Sequence, residues 1–240
     1  METITVSSFA ELQFALYNSA GDTLYRGVEN AQYELIPRLW RMIGKKTDPA
    51  LAAAEEKGLL TMFRKRAIPF LNREPTSTWE WLALAQHHGL PTRLLDWSGN
   101  PLAAAFFAVE NDEYSGNSAI WCYQSRYPFD LESQADPFSV PTVEQIVPPY
   151  ITARVAAQAG CFTIHPFHQP VSESDIKTKI VINDEWGARA EIKHALHVFG
   201  IHRASLFPDL DGLCNHLTWW LYEGGMGEWA CEGRDERRVN

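Results

Sequence analysis

Gln86-His87-His88-Gly89-Leu90-Pro91-Thr92-Arg93-Leu94-Leu95-Asp96-Trp97 gathers two histidines, an arginine, an aspartate, a threonine and a tryptophan around one glycine and one proline. Just upstream, Ser77-Thr78-Trp79-Glu80 has the Ser-x-x-Glu pattern of a capping box, so a helix opens there and runs through Gln86. Gly89 and Pro91 end that helix, because neither continues helical hydrogen bonding at low cost. Leu94-Leu95 then reads as a short buried strand. Asn100-Pro101 starts the next helix, with Leu102, Phe106 and Val109 on one face. Helix, strand and helix follow one another across a rigid Gly-Pro corner, which holds the polar side chains in set directions.

The same alternation extends outward. Ser8-Phe9-Ala10-Glu11 is a second capping box, followed by Phe9, Leu12 and Leu16 on one helical face and by Gly21 as a stop. Thr23-Leu24-Tyr25-Arg26-Gly27 reads as a strand, its glycine allowing a tight exit or the close approach of a ligand. Residues 48–110 read as mainly helical, opening at Asp48-Pro49 and continuing through Leu59, Phe63, Ala67 and Phe70. Strands are predicted at 119–123, 160–164 and 179–182, and helices at 184–199, closed by Gly200, and at 210–222. Residues 125–150 hold five prolines and little periodicity, and read as one long loop that is a candidate lid. Gly224, Gly225 and Gly227 begin a charged tail, 224–240. With no repeat and no linker, residues 1–240 are expected to form a single α+β domain, a mixed or antiparallel sheet flanked by helices.

Composition narrows the function. The chain has 240 residues and is 45% hydrophobic and 21% charged, with 9 Trp, 8 Tyr and 12 Phe, enough to build a sizeable core. The net charge of −9 argues against a protein that grips duplex phosphates over a broad basic face. It leaves room for a local basic pocket. Arg38, Arg41, Lys45 and Lys46, and likewise Arg64, Lys65 and Arg66, read as solvated helix faces. None of the four cysteines stands in a C-x-x-C pair, and no segment has the pattern of a secretion signal or a membrane span. Cytoplasmic residence with reduced thiols and no membrane partner is the expectation.

Several residues carry candidate chemistry. Arg93 either pairs with a carboxylate at a structural corner or lines a pocket, with His88, for an anionic or amide group. Asp96 either caps the next helix or belongs to the same pocket. His87 and His88, as neighbours, are poor joint metal ligands, and one of them reads as a hydrogen-bonding core residue. Arg26, mid-strand beside Gly27, either faces water or holds a phosphate or ribose in its guanidinium fork. Gln158, Gly160 and Phe162 alternate as if along one side of a strand, which points Gln158 into a pocket or to solvent. Asp209 and Asp211 read as helix caps. No Gly-x-Ser-x-Gly elbow, Gly-Lys-Ser/Thr phosphate loop or His-Glu-x-x-His motif is present.

These segments resemble the FRG domain, a family named for an aromatic-Arg-Gly motif, here Tyr25-Arg26-Gly27. The similarity continues through Pro37-Arg38-Leu39-Trp40-Arg41, the 86–97 block, Pro101 to Ala108, Arg154-x-x-x-Gln158-x-Gly160-x-Phe162, and Phe207-Pro208-Asp209-Leu210-Asp211-Gly212. It spans about residues 20–217 and implies a prokaryotic or viral context, cytoplasm, and a part in phage–bacterium conflict. A more distant similarity is to ADP-ribosyltransferases. Leu24-Tyr25-Arg26-Gly27 looks like their first strand, and Thr92 to Asp96 followed by 103–108 like their second strand and helix. Residues 158–164 fall where their strand bearing a catalytic Glu stands. That resemblance implies a split sheet and an NAD ligand. Arg26 and Gly27 would hold the phosphates or ribose, Tyr25 and Trp97 would stack on nicotinamide, and His88, Thr92 and Arg93 would line the site.

At the third position the chain departs from that pattern, since Gln158 stands where a Glu is expected. A neutral amide orients a ribose hydroxyl but supplies no negative charge, so Asp96 or Asp209 must take that part if there is turnover. Three readings follow. The first is an NAD-dependent transferase or glycohydrolase with Arg26, Asp96 and Gln158 at its centre and a protein or nucleic-acid acceptor. The second is a non-catalytic sensor of a nucleotide or a protein. The third is a metal-dependent hydrolase or nuclease using His87 or His88, Asp96, His165 and Asp209.

Overall fold

The computed structural model describes residues 1–44, 47–132, 136–147 and 153–222. Lys45, Lys46, parts of the 125–150 segment and the predicted 224–240 tail lie outside the described residues. In chain order the elements are β1 (Glu2–Val6), α1 (Phe9–Asn18), β2 (Thr23–Val28), α2 (Arg38–Ile43), α3 (Pro49–Ala67), α4 (Thr78–His87), β3 (Leu94–Ser98), α5 (Pro101–Val109), β4 (Ser118–Gln124), β5 (Glu144–Ile146), α6 (Ala153–Ala157), β6 (Gly160–Ile164), β7 (Ile176–Ile182), α7 (Ala188–Val198), α8 (Arg203–Leu206) and α9 (Leu210–Tyr222).

Local chemistry sets the helix ends where the sequence places them. The Ser8 and Ser77 hydroxyls accept from the backbone N–H groups of Glu11 and Glu80, and Asp48 accepts from those of Ala50 and Leu51. Gly89 and Gly200 take φ of 81° and 77°, the left-handed conformation that lets the chain leave α4 and α7.

The strands form one sheet in the order β1-β7-β4-β2-β3-β6-β5, with β1 parallel to β7 and the other neighbours antiparallel. The fold is the expected α+β with a mixed sheet. Two strands were not anticipated. β1 lies before the span of the family resemblance. β5 lies inside the segment read as loop, where Pro137–Ser139 forms a 3-10 turn and Glu144–Ile146 pairs with β6. Val140 and Ile146 are buried there against α4 and β6, so much of 125–147 is packed structure and not an open lid.

The sheet is nearly cut in two. β2 pairs with β4 over six residues but touches β3 at a single pair, Tyr25 with Ser98. One half, β1-β7-β4-β2, is covered by α1, α5 and α7, whose Leu12, Ala104, Phe106 and Ile192 pack on Tyr25, Ile120 and Ile180. The other half, β3-β6-β5, is covered by α4 through Trp81, Leu82 and Ala85 against Leu94, Phe162 and Ile164. The gap between the halves is where the candidate site lies.

Candidate functional site

Strands β2 and β3 diverge on either side of the Tyr25–Ser98 bridge, and Arg26 reaches across the opening. Its Nη1 donates to the Asp96 carbonyl at 2.7 Å and lies 3.7 Å from Asp96 Oδ2. The Arg26 side chain is 19% exposed and that of Asp96 is 57% exposed, so the carboxylate faces a cavity of about 430 Å³. Arg38 and Arg41 from α2 and Arg154 from α6 line the same cavity. Burial pulls the Arg26 pKa down, with Asp96 opposing the shift and Arg41 adding to it. Burial likewise lowers Arg154, against the pull of Asp96 and Asp209. Four guanidiniums therefore converge with three carboxylates, Asp96, Glu29 and Glu34, and an added anion would offset the desolvation of Arg26 and Arg154.

A hydrogen-bond relay fixes Asp96. The backbone N–H of Leu94 donates to Thr92 Oγ1 at 3.1 Å, Thr92 Oγ1 donates to Gln86 Oε1 at 2.6 Å, and Gln86 Nε2 donates to Asp96 Oδ2 at 2.8 Å. The chain of donors settles which way the Gln86 amide points. Thr92 thus acts on the cavity through Gln86, two bonds from it.

The other sequence-predicted site residues are spread around this centre. Tyr25 turns its ring into the core under α5, its hydroxyl 3.4 Å from the Ser19 carbonyl, so it offers no face to a ligand. Gly27 lines the cavity with its backbone, but the close approach it permits is that of α5. A Cβ there would lie 1.8 Å from the Ala104 carbonyl oxygen. Trp97 is also core, since its Nε1 donates to Thr163 Oγ1 at 2.9 Å and its ring lies 5.0 Å from that of Tyr123. Arg93 points away from the cavity, for alternate strand residues face opposite sides. It is buried in a fork with both oxygens of Glu56 on α3, between the rings of Trp40 and Phe138. The carboxylate-pairing reading of Arg93 is the one that fits. His88 is exposed at the end of α4, in an adjoining open groove with His87, Asp209 and Asp211 that shares Gln86, Gly89 and Arg154 with the cavity.

Gln158 sits in the turn before β6, not on the strand, because Ala159 takes a φ of 45° and reverses the chain there. Its Nε2 donates to the Leu206 carbonyl at 3.1 Å, and its backbone carbonyl accepts from Ser98 Oγ at 2.6 Å. It borders the cavity with its amide already engaged. Asp209 Oδ1 accepts from the Gly212 N–H at 2.7 Å and caps α9, as expected.

The metal reading lacks a centre. His165, fully buried, donates from Nδ1 to the Gln169 carbonyl at 2.8 Å and accepts at Nε2 from Thr163, also 2.8 Å, so both ring nitrogens are spent. Burial pushes its pKa down to about 4, which keeps that tautomer neutral. The rings of His87 and His88 meet edge to face at 4.8 Å. Among the described residues no three His, Cys, Asp or Glu side chains gather as a metal ion would require. The buried thiols of Cys122 and Cys161 are pushed up to about 11 and about 12, which leaves neither as an activated nucleophile.

Arg38 and Arg41 are exposed on α2, as the solvated-face reading expects, and from there they also line the cavity. Their one distinguishing signal was their place in the Pro37–Arg41 segment of the FRG resemblance, since charge spacing alone does not separate a cavity wall from a wet face. No curated protein and no solved structure matches the chain. The model of the FRG domain family matches residues 21–116, a span holding β2 to α5 and with them Arg26, Arg38, Arg41, Gln86 and Asp96, while Arg154 and Gln158 lie beyond it. Residues 21–116, which contain most of the polar wall of the cavity, are thus the part of the chain that is similar to the FRG domain.

Proposed function

We propose that the cleft between β2 and β3 binds NAD+ and that the protein releases nicotinamide from it, passing ADP-ribose to water or to an acceptor. The observation that carries this reading is the convergence of Arg26, Arg38, Arg41 and Arg154 on one cavity whose floor presents the exposed carboxylate of Asp96. Arginine forks suit the two phosphates of a dinucleotide, which they bind in bidentate fashion. Positive charge develops on the ribose carbon and ring oxygen as the bond to nicotinamide breaks, and a fixed carboxylate stabilises it. Asp96 suits that part better than Asp209, which is committed to capping α9 in another groove. In hydrolysis, water adds its oxygen to the ribose carbon, nicotinamide leaves neutral with the bonding electrons, and one proton goes to solvent. The likeness of the β2 and β3–α5 segments to ADP-ribosyltransferases and the split of the sheet agree with this placement.

A second reading rests on Gln158. It is neutral and already donates to the Leu206 carbonyl, so it cannot serve as the acid of that family's pattern. In this reading the same cleft holds the nucleotide as a signal, without turnover. A thermal-shift titration, followed by nicotinamide release from NAD+, tests both. At 100 times its dissociation constant a ligand adds about 2.7 kcal/mol, a rise of roughly 5–10 °C for a domain of this size. The expected result is a shift in wild type that is lost in Arg26→Ala, and release that falls about 100-fold or more in Asp96→Asn. A shift without release favours the sensor. No shift in wild type excludes both.

A further inference from the structure

Away from the cleft, three imidazoles from three different helices stack in contact. His202, at the start of α8, lies face to face with His216 of α9, centroids 4.0 Å apart at 11°. His197 of α7 lies 5.1 Å from His216 and 5.6 Å from His202. They border a cavity of about 170 Å³ between α7, α8 and α9. His216 is 8% exposed, and His197 Nδ1 is buried without a hydrogen-bond partner among the described residues. His202 is the N-cap of α8. Its Nδ1 accepts from the Ser205 N–H at 3.2 Å while Ser205 Oγ accepts from the His202 N–H at 3.0 Å, a capping box that needs an unprotonated Nδ1.

Among the described residues, the carboxylates beside the cluster are already paired with other cations. Lys193 of α7 is held by both oxygens of Asp112, and Arg203 of α8 by Glu110. His194 adds a further like-charge influence on His197, so among the described residues nothing offsets a charge on that ring. Burial lowers all three, with His197 adding to the shift of His202, and His202 and His197 to that of His216, which falls to about 4.

We propose that His197, His202 and His216 form an acid-sensitive latch, which seats α8 and α9 against α7 while the three rings are neutral and frees them when the rings are protonated. The latch adjoins the cleft through one side chain. Phe207, which follows α8, lies between the Arg203 and Arg154 guanidiniums, 4.7 Å and 4.2 Å from its ring centroid, and the Leu206 carbonyl beside it holds Gln158. Release of α8 and α9 therefore withdraws the support of Arg154 and Gln158 at one end of the cleft. The inference stands on the cluster and not on what the cleft binds.

The sign follows from proton binding. The released segment binds protons with ordinary histidine affinity, near pH 6.5, and the seated one binds them less readily, so seating is complete above about pH 6.5 and weakens as the pH falls toward 4. Hydrogen exchange followed by mass spectrometry at pH 7 and pH 5, corrected for intrinsic exchange, reads this directly. Protection of residues 203–222 is expected to fall at least about tenfold relative to β4 and β7 in wild type. It should stay level in His197→Phe/His202→Asn/His216→Phe, which keeps a capping side chain and two aromatic rings without the titrating groups. A wild-type segment whose protection tracks β4 and β7 overturns the latch, and so does a triple variant that still loses protection at pH 5. Should that variant not fold, an NMR titration of wild type decides, and a His216 that titrates at or above pH 6.5 ends the proposal.

Discussion

Arg93, just before β3, and Asp96, within it, stand three positions apart and have opposite fates. Arg93 is sealed in a two-pronged ion pair with Glu56, while Asp96 stands open to the cleft with its carboxylate steered by Gln86. Removing one partner of a buried pair strands the other charge, whereas an exposed pair adds little to stability. Glu56→Ala is therefore expected to cost about 3–5 kcal/mol in urea unfolding. Asp96→Ala should cost no more than about 1 kcal/mol, yet abolish whatever the cleft does. Equal losses in the two variants would contradict this division of labour. The composition of the 86–97 block shows that polar work is done there, but it does not tell which side chains point to the cavity. That follows from strand alternation combined with which helix covers which face.

At the scale of elements, α5 is set down on β2 by the absence of side chains. Ala103, Ala104, Ala105 and Ala108 keep its inner face low, and Gly27 removes the last obstacle, its hydrogen facing the helix backbone. This packing places Arg26 at the split, because Tyr25 and Gly27 are held under the helix and Arg26 must face the other way. Gly27→Ala forces a Cβ into the Ala104 carbonyl, and a loss of about 3 kcal/mol, the upper end of overpacking costs, is expected from chemical denaturation. A stable Gly27→Ala protein would mean that α5 can shift. Capping boxes, Pro starts and Gly stops made α1, α3, α4, α5, α7 and α9 legible in the sequence. β5 was not, because three residues among prolines carry no period, and their strand character comes from pairing with β6.

The whole molecule is a sheet held open by two separately packed halves, and its buried histidines tie its stability to pH. His165 bridges Thr163 and Gln169 below Trp97 and must stay neutral to accept from Thr163. Its pKa is lowered to about 4 by burial, so the unfolded chain binds the proton more tightly between pH 6.5 and 4, and stability falls as the pH drops through that window. The loss from this residue is expected to reach about 3 kcal/mol by pH 4, read as a falling urea midpoint. A midpoint constant from pH 7 to pH 4 would contradict a neutral His165. This global effect is distinct from the latch, which frees one corner while the sheet stays protected. Among the described residues no helix is long and apolar enough to cross a membrane.

Residues 86–97 and Tyr25-Arg26-Gly27 were enough, read alone, to point to the FRG similarity and to make Arg26 and Asp96 candidates, and capping and periodicity along the chain gave the α+β class, because these signals act over a few residues. The cleft was not legible in that way. Its wall takes Arg26 from β2, Arg38 and Arg41 from α2, Asp96 from β3 and Arg154 from α6, brought together by a sheet that pairs β2 with β3 at one residue pair only. The same holds for Tyr25, Trp97 and Arg93, whose rings and guanidinium are as suited to a ligand as to a core. Which of the two they serve depends on the side of the sheet they face and on what packs against it, and that is settled only when distant elements meet.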